Sequence, residues 1–254
     1  MKAAQTPANR GYSLALMGAL IVLAWLALWA WGQSPYARLL NHHHLGELRA
    51  GGLMLVFIAG WTVMIVAMML PTSLPLVNSF NALTRRRMDQ GQLVALLVVG
   101  YLSVWTLFGV MIYTGDLILH QAVEHSPWLH AHAWTLGAMT VALAGVYQFT
   151  PLKYRCLDKC RSPLSFIIGH WRGRHDKVQA LRLGAHHGLF CLGCCWSLML
   201  LMFAVGVGSL GWMLALAAVM GVEKNMSWGK KISAPLGVFL LGWGLALLFM
   251  STVP

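Results

Sequence analysis

The chain has 254 residues, 58% of them hydrophobic and 10% charged, with a formal net charge of +11. Its apolar residues fall in runs of about 20, the length that crosses a hydrocarbon core of about 30 Å as a helix. A soluble enzyme is excluded, and so is a need for nucleic acid, because membrane asymmetry accounts for the charge.

The first run, Gly11 to Trp31, follows Lys2 and Arg10. It is too long for a secretory leader, and Trp25, Trp29 and Trp31 at its far end suit an interfacial anchor. It reads as the first of seven spans, expected near 12–31, 53–77, 93–113, 133–151, 184–205, 209–222 and 232–252. With the N-terminus cytoplasmic, every Lys and Arg except Arg38 and Arg49 lies on the inner side, the bias that sets orientation. That side then favours anionic lipid headgroups. There is no internal repeat and no room for a separate soluble domain. Residues 1–254 therefore read as one integral membrane domain, an all-α polytopic bundle.

Pro71 and Pro75 interrupt the inner end of the second span, where Ala67-Met68-Met69-Leu70-Pro71-Thr72 either borders a site or marks a simple kink. On the outer side lie His42, His43, His44, His120, His125, His130 and His132. With Asp116 and Glu124 nearby, the second outer loop can gather divalent or copper ions, a solvated loop being the plainer reading.

The inner link, 152–182, opens with Cys156-Leu157-Asp158-Lys159-Cys160 among Lys153, Arg155 and Arg161, and these cations are expected to lower the thiol pKa. Ser162-Pro163 reads as a helix start, with a capping hydroxyl and proline at the first helical position. Leu164, Phe166, Ile167 and Trp171 would then lie along the membrane surface, with Arg172 and Arg174 facing headgroups. His170 and His175 carry no assignment.

In the fifth span, His187, Cys191, Cys194, Cys195, Met199 and Met202 recur at helical spacings of three and four, predicting one stripe of imidazole, thiol and thioether. Such soft donors select Cu(I), Zn(II) or iron–sulfur clusters, and methionine points toward Cu(I). Four of the five sulfurs suffice for a tetrahedral site. Packing is the competing reading for any single Cys or Met, but all five cysteines fall in these two clusters. The sixth span is short and ends at Glu223-Lys224. Glu223 is either a proton acceptor for metal-bound thiols or half of an interfacial salt bridge.

Tyr147-Gln148-Phe149-Thr150-Pro151-Leu152-Lys153, then Cys156, Cys160 and Arg161-Ser162-Pro163-Leu164, resemble the signature of a bacterial family of predicted metal-binding integral membrane proteins of unknown function. Ala67-Met68-Met69-Leu70-Pro71, Cys191-Leu192-Gly193-Cys194-Cys195-Trp196 and Glu223-Lys224 are similar to the rest of it. The first span and the outer histidines lie outside the resemblance. It implies a polytopic helical protein with a metal site at the matched cysteines, and no particular reaction.

The residues together read as a multi-pass protein of the bacterial inner membrane that handles a transition metal, copper before zinc or an iron–sulfur cluster, for transport, delivery or cofactor assembly. Cys191, Cys194 and Cys195 form the expected core, with Cys156 and Cys160 as gate or completing ligands. His187, Met68, Met69, Met199 and Glu223 complete the candidate set. Lipid and a soluble metal donor or acceptor protein are the expected partners. There is no GxxxxGK[ST] phosphate loop. A membrane thiol–disulfide oxidoreductase and an assembly subunit with a structural zinc or iron–sulfur site are the alternatives.

Overall fold

The computed structural model describes residues 8–33, 50–132, 134–171, 176–205 and 209–250. Among them every regular element is helical. His42, His43, His44 and His175, with Lys2, Arg38, Arg49, Arg172 and Arg174, lie outside the described residues.

The chain runs α1 (Ala8–Gln33), α2 (Ala50–Met68), α3 (Leu70–Leu83), α4 (Gln90–His125) and α5 (Pro127–Ala131). It continues as α6 (Trp134–Tyr147), α7 (Pro151–Arg161), α8 (Pro163–His170), α9 (Asp176–Val205) and α10 (Leu210–Asn225), then a 3-10 turn, Gly229–Ile232, and α11 (Ser233–Met250). Among the described residues, four stretches are long and apolar enough to cross a membrane: Ala15–Gln33, Gln90–His125, Asp176–Phe203 and Gly229–Met250. The pair Met54–Met68 and Leu70–Leu83, bent by 64°, is a fifth if counted as one. The spans expected at 133–151 and 209–222 fall on α6 and α10. These have 14 and 16 residues, fewer than the about 20 of a full crossing.

The 36-residue α4 absorbs most of the expected second outer loop. After Gly115 nothing breaks a helix until Ser126-Pro127, where the Ser126 hydroxyl accepts from the Leu129 amide and starts α5. On these helices His125 and His132 turn Nδ1 to carbonyls of their own chain, Gln121 and Trp128, at 2.7 and 2.8 Å. The expected helix after Ser162 is present as α8, but the Ser162 hydroxyl does not cap it. It donates back to the Asp158 carbonyl at 2.8 Å instead. Phe166 and Ile167 bury themselves in the bundle while Leu164 and Ile168 stay exposed, so α8 is a docked surface helix.

Two glycines let α4 and α9 approach along their length. A Cβ at Gly184 would collide with the Leu97 backbone, and one at Gly100 with the Leu181 carbonyl, the small-residue contact that lets apolar helices pack closely. Between α2 and α4, the Trp61 indole donates to the Trp105 carbonyl at 2.8 Å. At the end of the bundle that carries most basic residues, Arg87 pairs with Asp89 at 2.9 Å and with Asp176 at 2.6 Å. Lys230 pairs there with Asp158 at 2.8 Å. One core cluster lies near this end, around Phe80, Leu93, Leu97, Phe166 and Leu183. The larger one holds the cysteines and the buried methionines.

Gly184→Ala is expected to cost about 1–3 kcal/mol through the forced helix separation. Gly115→Ala, with open space where its Cβ would stand, leaves stability unchanged or slightly raised. Unfolding midpoints of both variants in detergent check this contrast.

Candidate metal centre

The site begins at the break between α2 and α3. Pro71 has no amide hydrogen to give to the preceding turn, and the chain bends at Met69, which is 0% exposed. The Met69 carbonyl, at the N-cap of α3, accepts from three hydroxyls: Thr72 at 2.8 Å, Ser73 at 3.4 Å and Tyr101 at 3.4 Å. Irregular backbone inside an apolar bundle is stable where protein groups satisfy it. The Met69 side chain then faces α9, with Sδ 3.7 Å from the Cys195 sulfur.

On α9, Cys191 and Cys195 are one turn apart and both face the break. The Tyr101 hydroxyl lies 3.0 Å from the Cys191 sulfur. Lys224, from the last turn of α10, enters between them. Its Nζ lies 3.0 Å from Cys191 Sγ, 3.2 Å from Thr72 Oγ1, and 3.7 Å from both Cys195 Sγ and Met69 Sδ.

The expected single stripe divides here. Residues advance by about 100° around a helix, so Cys191 and Cys195 share a face, whereas Cys194 is rotated from Cys195 toward α7. Cys194 Sγ stands 4.0 Å from Cys160 Sγ. The two sides stay adjacent, since the Cys194 and Cys195 thiols both donate to the Cys191 carbonyl, at 3.1 and 2.9 Å. Cys156 packs where α7 crosses Gly193. A Cβ there would lie 2.5 Å from the Cys156 sulfur, and the Tyr147 hydroxyl donates to the Gly193 carbonyl. All five cysteines are free thiols, four buried and Cys160 partly exposed.

The cations around Cys156 do not lower its pKa. Burial pushes this thiol up, and Cys194 adds to the rise. Lys153 and Arg161 are engaged elsewhere. Lys153 is fully buried and donates to both Glu223 carboxylate oxygens, at 2.8 and 2.9 Å, and to Gln148. Ser233 donates to the same carboxylate at 2.6 Å, and Arg161 reaches the Glu223 carbonyl at 2.5 Å. Of the two roles open to Glu223, the geometry is that of a salt bridge, with Lys153 as partner in place of the adjacent Lys224.

His187 is 3% exposed, with its ring 5.8 Å from Tyr101 and 5.7 Å from Phe166. Its Nδ1 has no hydrogen-bond partner among the described residues. Met68, Met199 and Met202 are buried in the same core cluster as the cysteines. Lys224, Tyr101 and Lys153 were not among the residues expected at the site. The first is recognisable as a lysine ending an apolar helix, an expensive placement that marks function by default.

Among the described residues, no three His, Cys, Asp or Glu side chains gather to hold one ion. The donors come as pairs, with Met69 as third sulfur. Thiols and a thioether fit a soft ion. The 3.7 Å between Cys195 and Met69 also matches the spacing of about 3.8 Å that bonds of about 2.3 Å give at tetrahedral angles.

A family model described as PpoB2, copper chaperone, matches residues 58–247. The chain belongs to this family. The match takes in all five cysteines, the α2–α3 break and Lys224, and leaves out α1. No curated protein and no solved structure matches the chain.

Glu223→Leu alone is expected to cost about 3–5 kcal/mol, because it strands the buried Lys153 ammonium. Adding Lys153→Met recovers much of that loss. Unfolding of the two single variants and the double variant measures the coupling.

Proposed function

We propose that the chain is a membrane-embedded copper chaperone that holds Cu(I) as cargo on Cys191, Cys195 and Met69. In this reading it exchanges the ion at the cytoplasmic face through Cys194 and Cys160. Family membership supports copper as the cargo. The observation that carries the exchange route is the run of sulfurs from buried Met69 through Cys195 and Cys194 to partly exposed Cys160, with neighbouring separations of 3.7 and 4.0 Å at its two ends. Cu(I) accepts few ligands, so a chain of donor pairs can pass it along without assembling a closed cage. Each thiol that takes the ion gives up its proton, and an incoming donor or acceptor protein presents thiolates to Cys160.

The helices long and apolar enough to cross a membrane support the embedding. The ion pairs Arg87–Asp176 and Lys230–Asp158, both on segments expected at the inner side, support an inner face carrying most basic residues, with the N-terminus on that side. His187, Met68, Met199 and Met202 form the soft lining around the cargo, and Cys156 seats α7 beside the exchange pair. The thiol–disulfide alternative draws on the same Cys160–Cys194 proximity, since exchange through a mixed disulfide needs two approachable sulfurs.

Anaerobically purified protein is expected to carry copper by mass spectrometry, and Cys191→Ser with Cys195→Ser to reduce it to background. Cys160→Ser retains the bound copper and slows its transfer to a soluble thiolate acceptor. Metal-free wild type whose Cys160 and Cys194 oxidise reversibly as a pair overturns the copper reading in favour of the oxidoreductase.

A further inference from the structure

Lys224 is 6% exposed, and a buried ammonium requires compensation. None comes from a carboxylate: among the described residues, Glu223 pairs with Lys153, Asp158 with Lys230, and Asp89 and Asp176 with Arg87. The groups around Nζ are instead two cysteine sulfurs, a thioether and a hydroxyl, all within 3.7 Å. A protein cation therefore sits among the donors that suit a metal cation.

We propose that Lys224 is the specificity-determining residue of this nest, selecting a soft monovalent ion against divalent ions by the fixed positive charge it supplies. The proposal rests on the copper reading and adds to it what the donors cannot supply, because thiolate sulfur binds Zn(II) as well as Cu(I). With Cu(I) on the Cys191 and Cys195 thiolates, the two negative charges balance the ion and the ammonium, and the buried site is neutral. With Zn(II) on the same thiolates, one positive charge stays uncompensated in a buried place, where an unpaired charge is expensive. Glu223 cannot relieve it, being held by Lys153 and Ser233. Lys224 is thus a positioning charge, not a ligand.

The test is competitive Cu(I) and Zn(II) binding to the full chain in detergent under anaerobic conditions, with bound metal read by mass spectrometry. Lys224→Met is expected to shift the Zn(II) to Cu(I) affinity ratio toward zinc by about tenfold or more, the factor that about 1.4 kcal/mol supplies. Lys224→Arg keeps the wild-type ratio. Thr72→Asp sets a carboxylate beside the ammonium and is expected to shift the ratio toward zinc with the lysine still present, a result that a merely structural lysine does not give. An unchanged ratio in a folded Lys224→Met protein overturns the assignment, as does an unchanged ratio in Thr72→Asp where the methionine variant does not fold. Wild type that binds neither ion overturns the copper reading, and the assignment with it. Wild type that binds Cu(I) beside variants with its own ratio removes the assignment alone.

Discussion

Two adjacent residues at the end of α10 point into the protein in different directions, and the arrangement of the sulfurs depends on both. Glu223 binds Lys153 of α7 and Ser233 of α11, while Lys224 reaches across to α9 and to the α2–α3 break. The Lys153–Glu223 pair is 0% and 2% exposed. Its attraction offsets a desolvation cost that neither group could bear alone. This pair fixes α7 against α10, and with it the distance of Cys160 from α9. The lysine beside it fixes the opposite face of α9. One short helix thereby sets the spacing of both sulfur pairs.

The proline at 71 has a related effect on the other side. A continuous helix would keep the Met69 side chain at a regular helical position. At the break the carbonyl also accepts from Thr72, Ser73 and Tyr101, and the thioether turns toward Cys195. Tyr101 serves both strands of this arrangement, holding the Met69 backbone and lying 3.0 Å from the Cys191 sulfur. The hydroxyls hold the soft donors without themselves being ligands of choice for a soft ion.

Much of this was legible in the sequence. Hydropathy located the helices, Pro71 marked the break, Ser162-Pro163 marked the start of α8, and the cysteine spacing marked the two helices that meet. What sequence could not give follows from geometry that spans the chain. Cys194 parts from Cys191 and Cys195 because α9 is packed on both faces, and which face meets α7 is set by Gly193 and Tyr147. Lys153 reads as one more inner basic charge until its partner, 70 residues away, is known. Tyr101 sits inside an apolar span with nothing local to distinguish it. Helix α4 outruns the span expected at 93–113, because polar residues after Tyr113 suggest a loop while the absence of a breaker is the stronger signal.

That length has a geometric meaning. A 36-residue helix is about 54 Å long, well beyond a hydrocarbon core of about 30 Å. Tyr101 lies in its first third and His125 at its far tip, about 36 Å away along the axis. The helix is seated from Leu93 to Tyr113, against α9 at Leu97 and Gly100 and against Trp61 at Gly109, and its last turns carry no buried residue. The side chain beside Cys191 thus sits next to the seat of Gly100 on α9, and the histidine-bearing tip stands far beyond it on the same continuous helix.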